Sequence, residues 1–167
     1  MKTITTITFL LSSACAWAVD SPISGSVSAN CSIYTTTPGS YGNPNPYTLS
    51  TASASGGVDP IVRVDIGAAD YYKTKFTYPN SFSSSPSGVT DNLTFSGSVT
   101  VSSVSVAAMS VYETNKVSVA NTVTYDHTLA GSSWHKITSQ ATYGAADNTA
   151  FPAGSYTALV TISCIAK

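Results

Sequence analysis

Apolar and polar residues alternate along much of this chain, and a two-residue period favours β-strands over helices. Near the start, six small or apolar residues occupy consecutive odd positions: Ile23, Gly25, Val27, Ala29, Cys31 and Ile33. Serines and one asparagine fill the positions between them. Because successive side chains of a strand point to opposite faces, this pattern predicts a strand with one buried face. No segment shows the 3.6-residue period of an amphipathic helix.

The C-terminal residues predict the last strand of the fold. Residues 151–154 (Phe-Pro-Ala-Gly) are typical of a turn, since proline presets φ and glycine suits the fourth position. The following residues favour a strand from Tyr156 onward. One face would carry Tyr156, Ala158, Val160, Ile162 and Cys164, and the other would carry Leu159 and Ile165 among polar residues. Apolar residues on both faces predict an inner strand of a sandwich.

Several short strands are expected between these ends. The pattern places them at residues 47–54, 61–66, 73–78, 93–101, 117–125 and 134–143, the last of these being weak. The alternation slips at Ser102-Ser103, which predicts a bulge or tight turn, and returns at residues 109–112. Residues 130–133 are typical of a hairpin turn. About eight or nine strands at this spacing indicate an all-β fold, an immunoglobulin-like antiparallel β-sandwich.

The N-terminus has the pattern of a secretory signal peptide, residues 1–18. Lys2 supplies the positive charge, an apolar stretch follows, and Ala16-Trp-Ala18 is a small-x-small cleavage site. A lipid anchor at Cys15 is the weaker alternative, because Ser12 stands where leucine is usual. We therefore expect an exported protein that passes through the periplasm.

The charge balance argues against nucleic acid as a partner. The chain has 7 basic and 8 acidic residues, and removal of Lys2 with the signal leaves 6 against 8, a net charge of −2. No basic cluster is present. Charged residues make up only 9% of the chain, against roughly 25% in an ordinary soluble domain. Serine and threonine supply the polar surface instead.

Two cysteines remain after export, Cys31 and Cys164. In an oxidising compartment a disulfide is the default, and two cysteines allow one intrachain pairing. The bridge would tie the first strand to the last, and the chain-entropy model gives such a long loop about 5 kcal/mol. A free thiol pair or a metal site is the alternative, although two cysteines alone do not complete a metal shell.

The sequence contains no arrangement that predicts catalysis. Its two histidines are His127 and His135, and Asp126 beside the first could form half of a triad, but no nucleophile elbow accompanies them. We expect both histidines at hairpin ends, and we expect no enzyme activity, no cofactor and no metal site.

Carbohydrate binding is a further possibility. Tyr71, Tyr72 and Trp134 could offer rings for stacking on sugars. Tyrosine is also simply a good strand residue, so its abundance requires no ligand. The sequence leaves both interpretations open.

The ends of the chain also carry a family resemblance. The signal is followed by Val27-Ser-Ala-Asn-Cys-Ser-Ile33, and the chain closes with Gly154-Ser-Tyr-Thr-Ala-Leu-Val-Thr-Ile162, its glycine fourteen residues from the end. This resembles bacterial fimbrial (pilin) subunits of the chaperone–usher type, including the archaic, spore-coat-U-like branch. The resemblance divides the chain into a signal peptide, a donor-strand-like extension at residues 19–30 and a β-sandwich at residues 31–167.

The resemblance implies an incomplete sandwich that strand donation between subunits completes. The donor residues would be Ile23, Gly25, Val27 and Ala29. The acceptor groove would include Gly154, Tyr156, Ala158, Val160 and Ile162. The implied partners are other subunits, a periplasmic chaperone, an outer-membrane usher and a receptor on a host or other surface. The implied location is a cell-surface fimbria, and the implied role is structural or adhesive.

The same residues permit a self-contained protein. If Cys31 bonds Cys164, residues 23–33 could pair with residues 156–165 of their own chain. The sandwich would then be complete, and the protein would be a secreted, lectin-like binding domain.

Overall fold

The computed structural model describes residues 29–89, 92–144 and 150–167, which form ten β-strands and one short α-helix. The strands are β1 Cys31–Thr37, β2 Gly42–Asn45, β3 Thr48–Ser50, β4 Ile61–Ile66, β5 Tyr72–Thr77, β6 Leu93–Val104, β7 Val117–Val119, β8 Thr122–His127, β9 Gly131–Tyr143 and β10 Thr161–Ala166. The helix, α1, is Val111–Asn115. All strand pairs between these elements are antiparallel.

The strands form two sheets, which confirms the prediction of an all-β fold with two antiparallel layers. In the first sheet, β9 pairs with β6 on one side. On its other side β9 pairs with β4 and then with β3, and β1 and β2 lie outside these two strands. The second sheet has the order β10-β5-β8-β7. Strand β9, expected to be weak, is the longest and most central of them.

The core lies between the sheets and follows from the alternation of each strand. In β4 the even positions Val62, Val64 and Ile66 are buried, and they pack with Phe76 of β5 and Ile137 of β9, among other apolar residues. Full burial of such side chains contributes about 1.5–3 kcal/mol each. The alternation in β4 therefore identified its core face correctly.

The predicted hairpin-end position is wrong for His135, which lies inside β9. His127 is the last residue of β8, but the chain crosses to the other sheet there, and both rings lie in the core. His127 is 1% exposed and His135 is 0% exposed. Each occupies an inward position of its strand, in β8 and β9 respectively, and continues the buried alternation there. Nothing in the sequence separates an inward histidine from a strand-end histidine once the strand boundaries shift by a few residues.

Three further expectations are corrected between residues 107 and 133. Residues 109–112 belong to a 3-10 turn and to α1, where Met109 and Tyr112 are buried three positions apart. Residues 117–125 form a hairpin, β7 and β8, with a two-residue turn that leaves the odd–even phase unchanged. The expected hairpin at residues 130–133 is a crossing between sheets, since β8 and β9 belong to different ones.

The predicted bulge in β6 is confirmed, since its register with β9 shifts between Val101 and Ser103. The last strand differs more from the expectation. It begins at Thr161, five residues later than expected, and it is an edge strand that pairs only with β5 among the described elements. Its outward face is exposed, including Leu159 just before the strand at 67% and Ile165 at 45%.

Candidate functional site: an open seam between two edge strands

Two edge strands, one from each sheet, lie on the same side of the sandwich. Among the described strands, β1 is an edge of the first sheet and pairs only with β4, and β10 is an edge of the second sheet. No ladder joins β1 to β10 within the described parts of the chain. The two sheets therefore leave a seam open along this side.

The seam is a groove with an apolar floor. It encloses about 460 Å³. Core residues of the first sheet, Val62 and Ile137, lie at its base, and Ala158, Val160 and Ile162 line the wall beside the second sheet. These last three side chains are half-buried while their neighbours Leu159 and Thr161 are exposed. Thr157 and Leu159, on the other face of the segment, also border the groove.

A disulfide closes one end of the seam. Cys31, the first residue of β1, is bonded to Cys164 of β10 with their Cα atoms 6.3 Å apart, which confirms the predicted pairing. At the opposite end the groove reaches Tyr41 and Tyr156. There the ring of Phe82 contacts both tyrosines, at centroid distances of 6.0 Å and 5.1 Å.

Residues 156–160 lead into β10. Their side chains alternate between half-buried and exposed as in a strand, but they are not part of a ladder with another described strand. The ladder between β10 and β5 starts at Thr161 and Thr77. After Thr77 the segment that follows β5 leaves this ladder. Tyr78 donates its N–H to the carbonyl of Asn121, and Pro79 has no N–H to donate. Residues 156–160 make backbone hydrogen bonds only through Thr157, to residues 83 and 84, among the described residues.

Gly154 sets the start of this segment. Its φ is +147°, in the region that favours glycine. A Cβ at this position would lie 2.4 Å from Cγ of Pro86. Both the backbone conformation and the space therefore require glycine where the chain turns toward the groove.

The opposite side of the sandwich is closed by side chains. Glu113 of α1 accepts a hydrogen bond from the N–H of Val101 at 2.7 Å, and Lys116 donates to the carbonyl of Val99 at 2.8 Å. Tyr125 also donates to that carbonyl at 2.8 Å. Glu113 and Lys116 form an ion pair. These contacts occupy backbone groups on the free edge of β6, a common protection against pairing with another chain.

The proposed donor residues fall mostly outside the described part of the chain. Ile23, Gly25 and Val27 lie outside it. Ala29 lies within it and is exposed, and its carbonyl accepts a hydrogen bond from the Tyr72 hydroxyl at 3.4 Å.

The three aromatic residues considered for sugar stacking do not form one surface. Tyr71 and Tyr72 pack edge to face at 4.8 Å at the start of β5. Tyr72 turns inward, where it packs against the core. Trp134 belongs to β9 of the other sheet, on its outward face. Two residues that the sequence did not single out, Tyr34 and Arg63, lie beside Trp134 instead.

The histidines form a buried pair. His127 shares a hydrogen bond with Thr74 at 2.7 Å, and His135 shares one with Ser133 at 2.9 Å. Neither Nδ1 atom has a partner among the described residues. Burial lowers the pKa of His127 to about 4 and that of His135 to about 3. Both rings are therefore neutral near pH 7, and neither lines the groove.

Within residues 29–89, 92–144 and 150–167 no group of three or more potential metal ligands occurs. In the same ranges no helix is long and apolar enough to cross a membrane. Comparisons with protein-family models, with curated proteins and with solved structures found no match to this chain.

Proposed function

We propose that this protein is an exported subunit of a surface fimbria, built on an incomplete immunoglobulin-like sandwich that a strand from another subunit completes. The observation that carries the proposal is the open groove between β1 and β10. Core residues Val62 and Ile137 lie at its base, and among the described strands β1 and β10 each leave one edge unpaired on this side. A strand inserted here would gain main-chain hydrogen bonds from the edges and bury alternate side chains, as in β-augmentation.

The contrast between the two sides of the sandwich supports this proposal. Glu113 and Lys116 cover the edge of β6 on the closed side. On the groove side, the half-buried side chains of Ala158 and Val160 still face a cavity. An unprotected strand edge favours association, so a chain that protects one seam and leaves the other open is suited to accept a strand at the open one.

The N-terminal extension is also long enough to lie along the C-terminal segment of a neighbouring subunit. At about 3.3 Å per residue, residues 156–166 would span roughly 36 Å and residues 19–30 roughly 40 Å. The alternation of Ile23, Gly25, Val27 and Ala29 supplies one small or apolar side chain every second residue. Such a spacing suits a groove that receives alternate side chains along its length.

The direction of the chain favours donation to another subunit. Asn30 accepts a hydrogen bond from Gly67 at 3.0 Å and so extends the β1–β4 ladder beyond Cys31. To enter its own groove, the preceding segment would have to reverse at the disulfide end and run parallel to β10. The self-contained alternative is further weakened because residues 31–33 pair with β4 and not with the C-terminal segment.

The experiment tests strand capture directly. The chain lacking residues 19–29 is produced with a periplasmic chaperone and then mixed with a synthetic peptide of residues 19–30. We expect a one-to-one complex that survives detergent without boiling, and fibres only from the chain that keeps its extension. A peptide carrying Ile23→Asp and Val27→Asp should not be captured, because a charged side chain cannot enter an apolar groove without a large desolvation cost.

A matched pair of variants localises the site. Ala158→Phe fills the groove wall and should prevent capture, whereas Thr161→Phe adds the same ring on the exposed outward face and should not. Capture that is unaffected by Ala158→Phe would contradict the proposal. So would a truncated chain that cannot fold even with a chaperone, since residues 19–29 would then belong to its own sandwich.

A further inference from the structure

We propose a second site on this molecule, a binding surface for neutral polysaccharide on the outward face of the first sheet. It goes beyond the proposed strand exchange and does not depend on it. Its centre is the aromatic–arginine row, which we define as Tyr34 of β1, Arg63 of β4 and Trp134 of β9.

The row is fixed by strand register. Tyr34 pairs with Arg63, and Arg63 pairs with Trp134, so the three side chains stand side by side across three strands. The guanidinium carbon of Arg63 lies 5.9 Å from the centre of the Tyr34 ring and 5.4 Å from the centre of the Trp134 ring. Both distances are within the range of cation–π contacts. The arginine therefore lies between the two aromatic rings and contacts both.

Each ring keeps a face that the arginine does not cover. Tyr34 is 54% exposed, and among the described strands none of the first sheet lies beyond β1. A strand donated at this edge would place its own outward side chains beside the ring. On the far side of Trp134, the residue opposite is Ser103 of β6, a small and exposed side chain. An aromatic face of this kind can stack against the C–H face of a pyranose ring, as it does against other flat apolar groups.

The charges of the row favour a neutral ligand. Arg63 Nε donates to Asp65 at 2.6 Å. This bond raises the pKa of Arg63. Partial burial opposes ionisation of Asp65, but hydrogen bonds from Arg63 and Ser132 outweigh it and hold its pKa below the usual value. Both groups are thus ionised and cancel each other, so the row attracts neither anions nor cations strongly.

The surroundings distinguish a polysaccharide from a protein partner. A protein interface has an apolar core under its polar rim. Around the row the outward neighbours are mostly hydroxyl and amide side chains, with one exposed cation, Lys136, between Trp134 and Thr138 on β9. The hydroxyl and amide neighbours are Ser32, Ser132, Ser103, Thr138 and Gln140. Hydroxyls that both donate and accept hydrogen bonds match the hydroxyl groups of a sugar chain. Aromatic faces within a hydroxyl-rich surface, where Arg63 is paired with Asp65 and Lys136 is the one unpaired charge among the named neighbours, therefore fit a neutral polysaccharide best.

The test is affinity electrophoresis of the exported chain in native gels containing hydroxyethyl cellulose or galactomannan, both neutral. We expect at least one of the two polysaccharides to retard the wild-type protein. Trp134→Ala and Tyr34→Ala should each bind about tenfold more weakly, because each variant loses one stacked ring. Tyr71→Ala removes a ring of similar exposure, 47% against 54%, outside the row and should bind as the wild type does.

Tyr34→Ala should fold normally, because this side chain is more than half exposed and its loss opens no core cavity. Weaker binding by this variant therefore reports on the surface and not on misfolding. Absence of retardation in both gels would overturn the proposal, as would unchanged binding by both row variants. Retardation only in alginate, an acidic polysaccharide, would identify a charge-driven contact instead. Self-association abolished by Trp134→Ala, without polysaccharide binding, would assign the row to a second copy of the chain. Capture of the peptide of residues 19–30 by the Trp134→Ala and Tyr34→Ala variants tests the groove separately from the polysaccharide surface.

Discussion

The rings of His127 and His135 meet edge to face in the core with their centroids 6.4 Å apart, one from each sheet. Protonation of either ring places a charge where no carboxylate is buried with it. Asp126 favours the charged form of His127, but burial is the larger effect and Lys167 adds to it. His127 and Lys116 in turn disfavour a charge on His135.

This pair predicts a loss of stability in mild acid. The folded-state pKa values, about 4 and about 3, lie below the unfolded value of 6.5. Between those values the unfolded chain binds protons that the folded chain excludes, so stability is complete above about pH 6.5 and falls as the pH is lowered. By about pH 4.5 the loss should be on the order of 2–3 kcal/mol for each histidine. Urea midpoints measured from pH 8 to pH 4.5 test this, and a flat profile would contradict it.

The disulfide should contribute strongly to stability. Replacing Cys31 and Cys164 together by serine opens a loop of 133 residues. We expect the free energy of unfolding to fall by about 2–5 kcal/mol. Equilibrium denaturation of the oxidised protein, the reduced protein and the double variant provides the measurement. Reduced wild type and double variant should agree, and a change below about 1 kcal/mol in both would mean that the bridge adds little.

Gly154→Ala should destabilise the turn into the groove wall by about 1–3 kcal/mol, from backbone strain and from overlap with Pro86. Gly56→Ala is the matched control. Gly56 also has a positive φ, +74°, but an added Cβ there meets nothing within 4 Å. The control should lose only about 1 kcal/mol. Equal losses in urea denaturation would show that Pro86 moves aside readily.

Glu113→Ala should make the closed seam prone to aggregation. The substitution removes the acceptor for the Val101 N–H and the ion-pair partner of Lys116. The edge of β6 then offers a free donor to other chains. Light scattering during incubation at elevated temperature is the measurement. Glu113→Gln keeps an acceptor oxygen and should aggregate more slowly than the alanine variant, and the reverse order would argue against edge protection.

Much of the strand content could be predicted, because period-2 alternation follows from strand geometry alone. It identified β4, β5 and the bulge in β6. It failed at the β7–β8 hairpin, where Ala120 and Asn121 form a turn whose even length leaves the alternation unbroken. It also failed at α1, since five residues are too few to show a helical period.

The candidate site was predictable only in part. Alternation placed Ala158, Val160 and Ile162 on one face, and all three are half-buried. The edge position of β10 did not, because apolar residues on the outward side of a strand suggest a second covered face. The row of Tyr34, Arg63 and Trp134 depends on the register of three strands distant in sequence, which local patterns do not encode.

The bridge between Cys31 and Cys164 also fixes how this molecule carries mechanical load. Tension applied between Ala29 and Lys167 passes through residues 29–31, the two sulfur atoms and residues 164–167. Residues 32–163 lie in the loop that the bridge closes, so the shortest covalent path bypasses most of both sheets. A pull on the two ends would stretch this path without unfolding the sandwich, and the molecule would behave as a short, nearly inextensible link for as long as the bridge is intact.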